Sequence, residues 1–356
     1  MTPETKLKAQ NILLIICIGL VFGLLYNYLY YPHSLTEFLE AGTISILISL
    51  IVGIVEEFVF KKAFQTISFL FVLVIRSLLY SLLTSFILSL VLSIEIAMVE
   101  NISYIGAVVE YLKGPFFQRD FLFSFFFIIM IIFISQITLL IGRANFFKLI
   151  LGLYHRPHEV SRIFMFVDLT GSTSIAERLS NLAYSGFIKD YFYDVSDAIL
   201  MYKGEIYQYA GDEVIVSWPI RRANLDCIRS FFKIEEIIEK KRNKYLSKYG
   251  RVPEFKAAIH AGKAIVTSVG KQKREIVYHG DVLNTTSRIE KKCNELNQPL
   301  LISEDMLNYL YPHKDFIIEE KGQIELKGKA KKLRLYGIKS TSYKLKQKSG
   351  LHDPDS

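Results

Sequence analysis

Apolar residues dominate the first 142 positions, and after them short strand-like apolar runs alternate with charged helical stretches. The first part holds four apolar segments, at 11–30, 43–60, 67–94 and 121–141. Each is long enough to cross a bilayer, whose core requires roughly 20 apolar residues. No small-residue cleavage site follows the first, and aromatic residues 26–31 continue it, so it reads as a retained helix and not a signal peptide. Four spans put both ends of the domain on one side. Lys6, Lys8, Lys61, Lys62, Arg143, Lys148 and Arg156 flank that side, while Glu37 and Glu40 lie in one opposite loop and Glu95, Glu100, Glu110 and Asp120 outnumber Lys113 and Arg119 in the other. Positive charge stays inside. The expectation is a multi-pass protein of the plasma (inner) membrane with both termini and the soluble part cytoplasmic.

From position 163 the period changes. A strand at 163–167 leads into helical sequence at 172–200, interrupted near 184–186, and a hairpin over 205–218 follows. A charged helix at 223–249, strands at 255–260 and 264–269, and a helix at 282–296 come next. Short strands at 300–302, 316–319, 323–326 and 333–338 complete an α+β pattern. The expected division is a four-helix transmembrane domain at 1–142, a linker helix or coupling segment at 143–161, a catalytic domain at 162–339 and a disordered polar tail at 340–356.

Composition sharpens this in three ways. The 356 residues suit about two domains, and the 26 Phe and the 51% hydrophobic content are concentrated before residue 142. The net charge of +8 comes largely from the second part, and suits anionic lipid or a polyphosphate substrate. No aromatic-interleaved basic motif accompanies it, so nucleic acid is not an expected partner. Cys17, Cys227 and Cys293 are far apart and odd in number, which supports neither a disulfide framework nor a zinc ribbon. No histidine lies in a span, so haem is not expected, nor is flavin. His155 and His158 lack cysteine or carboxylate partners and read as a solvated linker. Glu56 and Glu57 at the end of the second span and Arg76 in the third are either a paired intramembrane element or snorkelling charges. Their closeness to Lys61 and Lys62 favours snorkelling.

Candidate chemistry gathers in 163–218. One strand ends at Asp168 and passes into Leu169-Thr170-Gly171-Ser172-Thr173; the hairpin carries Gly211-Asp212 at its turn. If the strand carrying Asp168 lies beside that hairpin, the two carboxylates converge and suit Mg²⁺ or Mn²⁺ with a polyphosphate. Gly171 permits a tight turn, Ser172 or Thr173 can cap the next helix, and its first N–H groups can meet phosphate oxygens. Further on, Asn284 and Arg288 lie four apart on one helical face, suited to a ribose and a transferring phosphoryl group. Lys327 and Lys329 offer ammonium groups after a strand.

These four runs, in this order, resemble the catalytic domain of the class III nucleotidyl cyclases, over about residues 162–338. The resemblance implies a ferredoxin-like βαββαβ core that works as a head-to-tail homodimer with its active sites between subunits. It implies that Asp168 and Asp212 bind two Mg²⁺ or Mn²⁺ ions, one activating the ribose 3′-hydroxyl and one binding phosphates. Asn284 matches the ribose-orienting residue, Arg288 the one that stabilises the transition state, and Lys327 or Lys329 the late phosphate-binding lysine. The departures concern the base. Gln208 stands where adenylate cyclases usually have lysine, and Val277 where they have aspartate or threonine; guanylate cyclases would have glutamate and cysteine. ATP is the expected substrate and GTP the alternative. A receptor-like membrane protein with a weakly catalytic domain is the third reading. The membrane half senses a ligand, unknown from sequence, or holds two catalytic domains together in the lipid, or anchors them.

Overall fold

The computed structural model describes residues 3–30, 34–60, 68–220, 225–272, 274–310, 315–325 and 332–341. Lys327, Lys329 and nearly all of the tail expected to be disordered lie outside them. The chain forms two compact units, Met1–Ile141 and Gly142–Ser356.

The first unit is helical: α1 (Pro3–Tyr30), α2 (Leu35–Val55) continued by a π-helical turn (Glu56–Phe60), α3 (Phe69–Glu100), α4 (Tyr104–Lys113) and α5 (Pro115–Ile141). Among the described residues four stretches are long and apolar enough to cross a membrane: Asn11–Tyr30, Leu35–Phe58, Phe69–Glu100 and Pro115–Ser135. Two begin earlier than hydropathy alone suggests. Ser34 caps α2, accepting from the Glu37 N–H at 3.2 Å, so Glu37 and Glu40 are helical. Pro115 opens α5, where a missing N–H costs nothing. The amphipathic α4 occupies what reads in sequence as a plain connection; Ser103 caps it and Ala107 and Tyr111 are its buried residues. Along α3 Ser77, Ser81, Ser85, Ser89 and Ser93 form a buried stripe, small residues that let helices approach closely.

The snorkelling reading of Glu56, Glu57 and Arg76 is corrected. Arg76 is buried and donates to Glu56 at 2.9 Å, Tyr80 donates to the other Glu56 oxygen at 2.6 Å, and Asn11 donates to the buried Glu57 at 3.1 Å. A charged group surrounded by helices is stabilised by the hydrogen-bonding partners it finds there, so these side chains turn inward.

The second unit begins with α6 (Arg143–Ile150) and then a mixed sheet with helices on both faces. In order come β1 (His158–Leu169), α7 (Ser172–Arg178), α8 (Asn181–Met201), β2 (Glu205–Ala210), β3 (Glu213–Pro219), α9 (Asp226–Lys240), α10 (Arg242–Tyr249) and β4 (Phe255–Val269). Then follow β5 (Glu275–His279), α11 (Asp281–Glu295), β6 (Leu300–Ser303), α12 (Glu304–Leu307), β7 (Phe316–Glu325) and β8 (Lys332–Ser340). The strand order is β2-β3-β1-β4-β6-β8-β7, with β5 paired to β4. The first four strands give the βαββαβ core.

Strand β1 is a continuous apolar run because both of its faces are buried. Ile163, Met165 and Val167 pack with Phe187, Tyr191 and Val195 of α8 and Ile228 and Phe231 of α9. Phe164 and Phe166 face Tyr278 and Val282 on the other side.

Several expected boundaries move. The helical break after 172 falls at Leu179 and Ser180, where Ser180 caps α8, and not at 184–186. The charged helix divides at Lys241. The two strands expected at 255–269 are one, because β4 pairs with β1 without a break from Phe255 to Val266 and so carries the ladder through Ala261-Gly262-Lys263. Likewise β7 is one strand with a bulge between Glu320 and Gly322.

Candidate functional site: a carboxylate cluster at the strand ends

Asp168 is the penultimate residue of β1, opposite Glu213 of β3 on one side and Lys256 of β4 on the other. Asp212 precedes Glu213 in the β2–β3 turn, where Gly211 adopts a left-handed φ of 66° that other residues rarely take. The two aspartates expected from sequence are therefore brought to the same end of adjacent strands.

Lys256 connects them to a third element. Its Nζ lies 3.3 Å from Asp168 Oδ2 and 2.9 Å from Glu290 Oε1 of α11, and both Lys256 and Glu290 are buried. Asp168, Asp212, Glu213 and Glu290 thus crowd one basic group. Burial, then the Glu290 and Asp212 charges, push the Asp168 carboxyl up to about 6 against the pull of Lys256. Burial with Glu290, Asp168 and Asp212 pushes Glu213 up to about 7. Burial works against the Lys256 charge, but Glu290 and Asp168 outweigh it and hold the ammonium above its ordinary value. So much like charge in one place suits a divalent cation, and its donors are the hard oxygens that Mg²⁺ and Mn²⁺ prefer.

The turn after Asp168 is held by the Thr170 N–H, which donates to the Glu254 carbonyl at 2.8 Å. Helix α7 starts at Ser172, and its cap is Gly171, with φ 69° and no side-chain cap bond. The expected capping by Ser172 or Thr173 is therefore corrected: both lie already inside the first turn. The Leu169 side chain is in the core, which leaves only its backbone to face a ligand.

Asn284 and Arg288 share a face of α11, as expected, but it is not the face that meets Asp168. Val282, Thr285, Thr286, Ile289, Glu290 and Cys293 are buried, whereas Asn284 is exposed and Arg288 half-buried. At about 100° per residue the two sets point in opposite directions. The chain's own fold does not bring Asn284 and Arg288 to its own aspartates.

Gln208 is exposed on β2 beside a bulge between Ile206 and Gln208, and Val277 is half-buried on β5 opposite Thr267. Their neighbours touch: the Tyr278 N–H donates to the Tyr207 hydroxyl at 3.4 Å, and the two rings lie 5.1 Å apart edge to face. The two positions expected to meet the base thus belong to strands joined through Tyr207 and Tyr278.

Lys256, Glu213 and Glu290 are the residues that sequence reasoning missed. The available signals were a lone lysine in the apolar run Phe255-Lys256-Ala257-Ala258-Ile259 and a glutamate on the apolar side of α11.

Residues 154–340, just over half of the chain, match the family model described as the adenylate and guanylate cyclase catalytic domain. Over 214 residues the chain is 39% identical to Adenylate cyclase 2 of Rhizobium meliloti (strain 1021), which covers 60% of this chain and 59% of that protein. It is 28% identical over 183 residues to Adenylate cyclase 1 of the same organism, covering 49% of this chain and 27% of that one. The chain thus spans less than two thirds of the length of either relative. Among solved structures, a bacterial light-regulated adenylyl cyclase shares the fold with a TM-score of 0.51 at 18% identity, over 60% of this chain and 64% of that one. With the family model covering the whole βαββαβ core and both strand-end aspartates inside it, the chain belongs to the class III nucleotidyl cyclases.

Proposed function

We propose that this protein is a membrane-anchored adenylate cyclase that converts ATP to 3′,5′-cyclic AMP and pyrophosphate at a site shared between two copies of the chain. The observation that carries this reading is the division of labour on α11. The aspartates gather at the strand ends, while Asn284 and Arg288 face away from them, so one chain holds two half-sites that a second copy would complete. Two named adenylate cyclases among the relatives support ATP over GTP.

In this reading Asp168 and Asp212 hold two divalent cations, which when bound would lower the pKa of the ribose 3′-hydroxyl and neutralise phosphate charge. Asn284 of the second copy orients the ribose. The 3′-oxygen forms a bond to the α-phosphorus, the bond to the bridging oxygen breaks, pyrophosphate leaves, and the hydroxyl proton passes to solvent. Arg288 offsets the charge that builds on the phosphoryl oxygens. Gln208 presents an amide that can donate and accept at the base edge, and Val277 packs beside it. Lys327 or Lys329 meets the phosphates. The anchor is the four-helix unit in the plasma membrane, with both termini and the catalytic unit cytoplasmic.

The test is product analysis on the full-length protein with Mn²⁺ and equal ATP and GTP, beside Asp212→Asn. Cyclic AMP from the wild type and at least about 100-fold less from the variant is expected, the scale on which removal of one oriented electrostatic group acts. Cyclic GMP would keep the chemistry and reverse the base preference; a folded wild type with no cyclic product would overturn the reading.

A further inference from the structure

The membrane unit holds a partly open cavity of about 330 Å³ between α1, α2, α3 and α5, within the size range of small-molecule sites. Most of its wall is apolar, including Phe22, Ile48, Leu88 and Phe127. Its polar lining is not evenly spread. Where α1 ends, α2 begins, α3 ends and α5 begins, the wall carries Asn27, Glu37, Glu40, Glu95 and Asp120. Asp120 is satisfied, accepting from the Tyr26 hydroxyl, from Tyr111 at 2.7 Å and from Arg119 at 3.0 Å. At the other end Glu56 is satisfied by Arg76 and Tyr80.

Two buried polar atoms at the first end are acceptors that receive no hydrogen bond from the described residues. Asn27 is 4% exposed, and its Oδ1 accepts from no group among the described residues. One oxygen of Glu37, Oε2, is likewise buried and accepts from none among them. A buried carbonyl without a donor is destabilising, and a ligand carrying N–H groups would recover that loss. Glu37, Glu40 and Glu95 add negative charge at that end. Two open acceptors, Asn27 Oδ1 and Glu37 Oε2, are far fewer than the oxygen ligands a hard divalent cation collects. Acceptors on two helices, negative charge around them and an apolar body of cavity beyond call instead for a compact cation with hydrogens to send in several directions. An ammonium has three.

We propose that this cavity binds an organic monocation, a primary ammonium on an apolar body, whose N–H groups meet Asn27 Oδ1 and Glu37 Oε2 while the apolar part lies among the helices. Such an ammonium has two sources, the headgroup of an amine lipid or a free amphipathic amine.

The experiment uses the full-length protein in phosphatidylcholine–phosphatidylglycerol nanodiscs, titrated calorimetrically with octylamine, octyltrimethylammonium and octan-1-ol, with empty discs subtracted. Saturable octylamine binding is expected, about tenfold or more weaker for the trimethylated cation, which has no N–H, and for the alcohol, which has no charge. Glu37→Gln should weaken octylamine binding by a similar factor, and so should Asn27→Leu. The ligand series on the wild type needs no variant, so a misfolded variant does not remove the test. Equal binding of all three ligands, no saturable binding, or binding indifferent to both substitutions in folded protein would overturn the proposal. Replacing part of the phosphatidylcholine with phosphatidylethanolamine separates the sources. Octylamine displaced by that lipid assigns the site to a headgroup, and octylamine binding unchanged assigns it to a free amine.

Discussion

Asp168 and Glu213 are carboxyls that the fold holds in their protonated form longer than an unfolded chain would, at about 6 and about 7. Well below pH 3 both are neutral whether folded or not, so neither affects stability. As pH rises from about 3 to 7 the unfolded chain releases these protons first, and the folded state is penalised, by about 3 kcal/mol at Asp168 alone. Metal-free protein should therefore lose stability across this window. Mn²⁺ should restore it at pH 7.5 and add little at pH 5. The single tryptophan, Trp218 on β3, is buried with its N–H on the Tyr202 carbonyl at 2.9 Å, so its emission follows melting of the catalytic unit inside the full-length protein. A pH slope no shallower in Asp168→Asn than in the wild type would contradict this account. The aspartates themselves were legible in sequence because each closes an apolar run. Lys256 and Glu290 were not, because what gives each its meaning is a partner on another element, Asp168 far back in the chain and a helix 34 positions on. Ordinary pairing rules do not announce such contacts.

Among elements, β1, the hairpin and α11 were legible because their periods are unambiguous. The short β5 and α4 were not. The first is a five-residue edge strand whose identity comes from pairing with the end of β4, and the second is too short and too mixed for either a span or a soluble helix. Packing between elements offers two tests. At Gly204, between α8 and β2, an added Cβ would sit 2.5 Å from Ile199 and 2.8 Å from Trp218. Gly204→Ala should cost about 1–3 kcal/mol, the usual range for overpacking, read as a lower midpoint of the Trp218 melt. Lys256→Met leaves Glu290 and Asp168 without their shared cation, and breaking a buried ion pair costs about 3–5 kcal/mol. Lys256→Arg should retain most of that stability and leave Mn²⁺ affinity near the wild-type value, whereas Lys256→Met should lower stability and, with no competing cation beside the carboxylates, raise Mn²⁺ affinity. Equal Mn²⁺ affinity in the two variants would mean that the lysine only fills space.

For the whole molecule, the proposed sharing of each site predicts complementation. Asp168→Asn keeps Asn284 and Arg288, and Arg288→Ala keeps the aspartates. Each should be inactive alone. Co-expressed in equal amounts, half of the pairs are mixed and each mixed pair has one intact site, so about a quarter of wild-type activity should return. A mixture as inactive as its parts would place the whole site within one chain. The opposed faces of α11 carry one more consequence. Its inner face is tied through Glu290 and Lys256 to the carboxylates of its own chain, and in the proposed pair its outer face would offer Asn284 and Arg288 to the neighbour. A cation that drew Asp168 away from Lys256 would change what holds the helix in place, and in that pair the helix would be part of the wall of the other pocket. The two pockets of an assembled pair should then fill with cooperativity, giving nucleotide-binding curves whose Hill coefficient departs from one and returns toward it in Glu290→Gln.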